Sequence, residues 1–322
     1  MAGRSSVAVR LARYIQAFPL WLFRFVEWPF VVLGKQRNNS PAIFVLALPR
    51  SGSTVTYQSI CHGLKVNYLS NLWHLFYQLP LIGGWLSSFK THHHRSDFKS
   101  QHGFVSGLGG PAEGLRFWQW WLDCGLSDKG CKSLTVAKRQ RRSDYLRRVF
   151  SVLGRKDQPF ATAYLGHTLV PDRVSEAFPG AILIRLRREP VANALSLLKS
   201  MQGNGSGWFS VKPHECEGLE TATEHERVAA QVFWLNRRLD DSACSAEMLT
   251  VHYEKLCESP EREVARIQNW CNANGVAVGR KFELPKQFPF KKPDLDADTD
   301  AIKIREALSK LEAKYGKLGV SQ

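Results

Sequence analysis

One short stretch constrains the fold of this chain more than any other. Ala42-Ile43-Phe44-Val45-Leu46-Ala47 is an uninterrupted apolar run. That is the pattern of a strand buried on both faces, and such strands belong to parallel sheets covered by helices. The run passes directly into Leu48-Pro49-Arg50-Ser51-Gly52-Ser53-Thr54, and a helix is expected over Val55–Gly63. A small-residue loop between a strand end and a helix start gathers backbone N–H groups and the positive end of the helix dipole at one spot. It is a ready-made anion site.

The remainder of the chain repeats the strand-then-helix alternation. A second buried strand is expected over 181–187, turned by Arg188-Glu189-Pro190 into a helix to about Met201, with Pro190 near the favoured first position. A third short strand is expected over Met248–His252, followed by a helix across 260–274. Helical patterns also cover the aromatic stretch 112–124, the basic stretch 138–153 stopped by Gly154, residues 224–240, and the tail from Asp300. Residues 72–86 are apolar but broken by Pro80 and the Gly83-Gly84 pair, and 87–111 read as a long polar loop of the functional kind. No internal repeat is present. The alternation argues for an α/β fold with a parallel sheet in a single domain over 35–322.

Residues 1–34 stand apart. Leu11, Ile15, Phe18, Leu22 and Phe25 fall on one helical face with Arg13, Arg24 and Glu27 opposite. This is an amphipathic segment suited either to the protein's own core or to a membrane surface. Arg24, Glu27, Pro19 and Pro29 interrupt it too often for a membrane span or signal peptide. With 44% hydrophobic and 23% charged residues, disordered, collagenous and low-complexity classes are excluded. Seven cysteines without a C-x-x-C pair fit a reduced, cytoplasmic protein, peripheral on the inner membrane face if the first segment binds lipid. The net charge of +15 calls for an anionic partner, and residues 132–156 hold nine basic residues against the single acidic Asp144. No nucleic-acid motif accompanies that charge.

The loop itself narrows the choice. Nucleotide triphosphatases use G-x-x-x-x-G-K-[ST] at this junction. Here Ala47 stands at the first Gly position and Ser53 at the Lys position, while Arg50 lies inside the loop. Arg50 is a planar cation able to hold two oxygens at once. The sequence Pro49-Arg50-Ser51-Gly52-Ser53-Thr54 after a buried strand resembles the 5′-phosphosulfate loop of sulfotransferases that use 3′-phosphoadenosine 5′-phosphosulfate (PAPS). A second motif is similar: Arg188 at a strand end and Ser196 eight residues on resemble the clamp on the donor's 3′-phosphate. Weaker likenesses to a bacterial branch lie at Gly110–Glu113, Trp208–Pro213 and Tyr253–Leu256. The resemblance spans roughly 42–270. It implies a three-layer P-loop-like fold with a central parallel β-sheet flanked by helices. It also implies transfer of a sulfuryl group from PAPS to an acceptor hydroxyl (carbohydrate, lipid-linked or other), with Arg50, Ser51, Gly52, Ser53, Thr54, Arg188 and Ser196 on the donor and no metal.

Two family features are missing. Asn71 lies near the spacing of the usual catalytic Glu, and Phe160–His167 carries no Lys. Lysines near 286–292 are alternatives for the missing cation. Glu113 is the first candidate for the general base, His102 the second and His167 the third. The cluster His92-His93-His94 reads as a polar loop. Phe117, Trp118, Trp120 and Trp121 would either line a sugar or lipid site or fill the core. A P-loop kinase or triphosphatase, and a non-catalytic module of the same fold, are the competing functions.

Overall fold

The computed structural model describes residues 14–34, 42–100, 103–131, 134–154, 158–204, 207–290 and 293–319. Five strands form one parallel sheet: β1 (Ala42–Ala47), β2 (Asn67–Tyr68), β3 (Phe160–Thr162), β4 (Ile182–Arg187) and β5 (Leu249–His252), in the order β2-β3-β1-β4-β5. All six residues of β1 are buried, as its apolar run requires. It pairs with β4 from Ile43↔Ile182 to Ala47↔Leu186, and with β3 from Ala42↔Phe160 to Phe44↔Thr162. The chain moves to opposite sides of β1 after β1 and after β3. The crevice beyond the carboxyl ends of β1 and β4 is therefore the switch point where open α/β sheets bind ligands.

The helices flanking this sheet are α1 (Arg24–Leu33), α2 (Ser53–Gly63), α3 (Asn71–Leu75), α4 (Pro80–Thr91), α5 (Leu115–Leu122), α6 (Val136–Leu153), α7 (Pro171–Ala177), α8 (Pro190–Asn204), α9 (Glu224–Asp241), α10 (Tyr253–Glu258), α11 (Pro260–Ala273) and α12 (Thr299–Tyr315). Thr223 and Glu226 close a reciprocal capping box on α9, and Asp298 caps α12. The helix α4 corrects the expected break at Gly83-Gly84. A Cβ on Gly83 would sit 2.7 Å from Trp73 Cδ1, and one on Gly84 2.3 Å from Leu153 Cδ1. The two glycines let neighbouring side chains approach an unbroken helix, and the loop expected from residue 87 begins only after Thr91.

Of the two packings open to the first segment, the charged face is the one that meets the protein. Residues 1–13 lie outside the described residues. From 14 onward the charged side of the segment docks and the apolar side is exposed. Glu27, only 1% exposed, accepts hydrogen bonds from Tyr145 Oη (2.9 Å) and from the Ile82 N–H in the first turn of α4 (3.1 Å). The Arg24 guanidinium stacks over Tyr145 at 4.5 Å and Trp121 at 5.0 Å. Phe18, Leu22 and Phe25, which share one face by pattern, are 51%, 50% and 71% exposed. Among the described residues, no helix is long and apolar enough to cross a membrane.

The aromatic helix α5 does the reverse. Phe117, Trp118 and Trp121 are fully buried, with Phe44, Phe160 and His167 around Trp118. These three are core, while Trp120 is half-buried with the Arg142 guanidinium stacked on it at 4.8 Å. All seven cysteines are buried and unpaired. Asp128, His214 and Glu215 bring ligating atoms within 4.8 Å of one another. Arg238 already serves the two carboxylates, at 2.8 Å from Asp128 and 2.6 Å from Glu215.

One buried ion pair ties the sheet to the helical layer. Arg185, inside β4, donates to Asp240 Oδ1 of α9 at 2.5 Å and to the Asn236 carbonyl at 3.2 Å. The side chains are 5% and 15% exposed. Removing one partner strands a buried charge. Asp240→Ala is therefore expected to lower unfolding stability by about 3 kcal/mol, measured as a drop in the urea midpoint at unchanged slope.

Candidate active site

The loop leaving β1 is anchored on both sides. The β3 ladder stops at Phe44, and beyond it Thr168 takes over: its buried hydroxyl accepts the Ala47 N–H (3.1 Å) and donates to the Ala47 carbonyl (3.0 Å). Asn193 in α8 donates to the Pro49 carbonyl at 2.8 Å. The Ser51 hydroxyl and N–H both turn back to the Leu48 carbonyl (2.7 and 3.2 Å). Gly52, at φ 96°, is the N-cap of α2, and its carbonyl receives both the N–H and the hydroxyl of Thr56 (3.1 and 3.0 Å). A Cβ at Gly52 would meet the Tyr253 ring at 2.1 Å. Only glycine combines that left-handed conformation with that contact. Arg50 also adopts a left-handed φ of 63°.

Arg188 reaches the same loop from the end of β4. Its Nη1 donates to the Arg50 carbonyl at 2.7 Å, and its guanidinium stacks over Tyr253 at 5.0 Å. Its Nε is buried without a hydrogen-bond partner. Glu189 then caps α8 through the N–H groups of Val191 (3.1 Å) and Ala192 (2.5 Å). Ser196, on α8, accepts from Arg50 Nε at 3.4 Å. Burial and the neighbouring Arg188 charge lower the pKa of Arg50. Two cations face one space, which favours an anion between them.

Glu113 arrives from a third direction. Residues 105–112 lie against 69–72: the Ala112 N–H bonds to the Leu69 carbonyl at 2.7 Å, and the Asn71 N–H to the Gly110 carbonyl at 2.9 Å. The Asn71 amide donates to the carbonyls of Val105 and Gly107, both at 2.7 Å. Asn71 thus holds the strap that delivers Glu113. Glu113 precedes the N-cap Gly114 of α5, so it is not a residue of the helix. Desolvation pushes its carboxyl up to about 7. A Cβ on Gly103 would lie 3.4 Å from Glu113 Oε1 and 3.8 Å from Thr54 Oγ1. Carboxylate and loop hydroxyl therefore flank the same glycine.

These groups enclose a cavity of about 700 Å³ lined by Arg50, Gly52, Ser53, Thr54, Glu113, Arg188 and Ser196, with Ser100, Leu165, Phe209 and Tyr253 among its other walls. Of the loop and clamp residues expected from sequence, only Ser51 is not in the lining; it is 1% exposed and braces the turn. His102 lies outside the described residues. His167 is no base for this cavity: it is fully buried among Phe44, Trp118 and Tyr164, and burial holds its pKa down at about 3. No lysine of the described residues lines the cavity; Lys291 and Lys292 lie outside them. Thr168 and Asn193 brace the loop without any sequence signal for it; Tyr253, within the likeness at Tyr253–Leu256, packs on Gly52 from just after a strand.

Residues 41–274 match the family model described as the sulfotransferase family. A search of curated proteins returns no match. Among solved structures, the chain is similar to a sulfotransferase from Mycobacterium avium, with 14% identity, TM-score 0.47, and 95% of this chain and 76% of that one covered. It is likewise similar to a sulfotransferase from Mycobacterium tuberculosis, with 15% identity, TM-score 0.45 and coverages of 92% and 78%. A sulfotransferase from Alicyclobacillus acidocaldarius is 16% identical with TM-score 0.39 and coverages of 85% and 95%.

The raised carboxyl of Glu113 has a pH signature. Between its ordinary value of 4.5 and about 7 the folded chain keeps a proton that the unfolded chain has released. Folding stability is therefore greater below that window and falls as pH rises through it, by about 3 kcal/mol for this group. Urea unfolding at pH 5 and pH 8 is expected to show this loss in the wild type and its absence in Glu113→Gln.

Proposed function

Because the chain belongs to the sulfotransferase family, with the P-loop-like α/β fold and the enzymatic activity this entails, we propose that it transfers a sulfuryl group from PAPS to an acceptor hydroxyl. The observation that carries this reading is the convergence of Arg50, Arg188, Ser196 and Glu113 on one cavity at the carboxyl ends of β1 and β4. The catalytic domain is taken as residues 35–322.

The residues fit such a donor. The loop from Gly52 to Thr54 opens a helix N-terminus, two arginines border the cavity, and the buried Nε of Arg188 lacks a partner that an anionic oxygen would supply. When bound, the donor supplies a sulfuryl group on a phosphate leaving group, open to in-line attack by an acceptor hydroxyl. Arg50 and the N–H groups of Gly52, Ser53 and Thr54 hold the phosphosulfate end and stabilise charge building on the leaving phosphate. Arg188 and Ser196 hold the 3′-phosphate, and Arg188 fixes the Arg50 backbone through the 2.7 Å bond to its carbonyl. Glu113 takes the acceptor's proton, its pKa near 7 matching it to proton transfer at neutral pH. The acceptor is a carbohydrate, lipid-linked or other hydroxyl. The buried, unpaired cysteines support a reducing, cytoplasmic setting. Ser53 in place of the P-loop lysine gives the kinase or triphosphatase reading no support.

Calorimetric titration with adenosine 3′,5′-bisphosphate, beside ADP without magnesium, tests the donor class. Micromolar binding of the bisphosphate alone is expected; equal binding of both overturns the 3′-clamp. With labelled PAPS and an acceptor panel, Arg50→Ala is expected to lose on the order of 100- to 1000-fold in turnover. Arg188→Ala is expected chiefly to weaken bisphosphate affinity. Glu113→Gln is expected to lose about 100-fold or more in turnover while still binding the bisphosphate. Full turnover by Glu113→Gln assigns the base elsewhere.

A further inference from the structure

Residues 14–34 contain two charged side chains, Arg24 and Glu27, and both are committed to the body of the protein. Glu27 joins α1 to the first turn of α4 and to Tyr145 of α6, and Arg24 stacks on Tyr145 and Trp121. With its polar stripe and Val31 turned inward, α1 has nothing left to show solvent but apolar groups. Trp21, Leu22, Phe25, Trp28, Phe30 and Leu33 are 48%, 50%, 71%, 58%, 65% and 83% exposed. The adjoining α4 adds Trp85 and Phe89, 57% and 62% exposed and packed edge to face at 5.2 Å. So many exposed aromatic rings on two adjoining helices are far from the scattered single exposures of an ordinary monomer.

The charge around this surface identifies what it meets. The sequence before it carries Arg4, Arg10 and Arg13, and the sequence after it, up to β1, carries Lys35 and Arg37, with no acidic residue in either stretch. Exposed Lys90 closes α4, and exposed Arg95 follows it. An uncharged face rich in Trp and Phe, whose flanking sequence on either side carries cations and no acidic residue, matches the interfacial zone of an anionic bilayer: rings settle at headgroup depth and cations meet lipid phosphates. A second copy of the chain would set the same cations against each other. At 10 residues, α1 is about 15 Å long, half of what a span needs, so it lies along the surface. We propose that the face formed by residues 14–33 with Trp85 and Phe89 docks on an anionic lipid bilayer. The proposal is independent of which donor the cavity holds.

Flotation of the full chain with phosphatidylcholine vesicles containing a quarter phosphatidylglycerol tests it. Co-flotation is expected, weaker on pure phosphatidylcholine and weaker in 0.5 M salt. The triple variant Phe25→Ser, Trp28→Ser, Phe30→Ser is expected to lose at least tenfold in vesicle partition. Its thermal unfolding should stay unchanged, because all three side chains are exposed; if it fails to fold, Trp85→Ser with Phe89→Ser takes its place and is expected to weaken partition in the same direction. Absence of flotation by the wild type, or equal flotation by the folded variants, overturns the proposal. So does a wild-type dimer in sedimentation that the triple substitution turns into a monomer without any lipid binding, which gives the face to a second copy.

Discussion

The site hangs on a single side-chain hydroxyl at the end of the central strand. Past Phe44, β1 has no β3 partner, and Thr168 satisfies both backbone groups of Ala47 just where the chain must turn sharply. An orphaned N–H and C=O there would be buried and costly. With the strand end fixed, the Pro49 carbonyl finds Asn193 and the Arg50 carbonyl finds Arg188. The loop conformation is thus written by three elements that come from far along the chain. This is why a short turn, in which Arg50 alone is exposed, can be stiff enough to present oriented N–H groups.

Stiffness on one side of the cavity is matched by a strap on the other. Residues 105–112 have no helix or strand of their own, yet Asn71 pins them through three hydrogen bonds, and Leu69 adds another. Glu113 ends that strap against the wall of the cavity, where water is too scarce to keep its carboxyl strongly acidic. A cationic wall and a carboxyl poised near neutrality are thereby held apart by scaffolding and not by an ion pair between them. Such an arrangement keeps both groups available to ligands.

Much of this was legible in the residues. β1 announces itself because a strand buried on both faces needs an unbroken apolar run, β4 shows the shorter run Ile182-Leu183-Ile184 before its arginines, and the loop between β1 and α2 has few chemical uses. β2 and β3 were not legible: at two and three residues they are strands because of their neighbours in the sheet, not because of their own pattern. Gly83 and Gly84 read as a break because sequence shows the missing side chain but not the indole of Trp73 that fills its place. The first segment taught the same lesson from the other side. Periodicity establishes that Arg24 and Glu27 oppose Phe25, yet not which of the two faces meets water. Arg50, Gly52, Ser53, Thr54, Arg188 and Ser196, singled out by the two motifs, are brought to one cavity. The pKa of Glu113 and the contact of Tyr253 with Gly52 depend on packing that spacing does not encode.

Arg50 holds its left-handed backbone at a cost of roughly 1 kcal/mol that a glycine would not bear. At this position the fold and the chemistry want different residues. A chain selected for thermal robustness alone would drift toward glycine there and lose its loop cation, so tolerance to heat and capacity for anion binding are traded directly against each other at one residue. Efforts to stabilise this scaffold by smoothing its backbone have a natural boundary at that arginine.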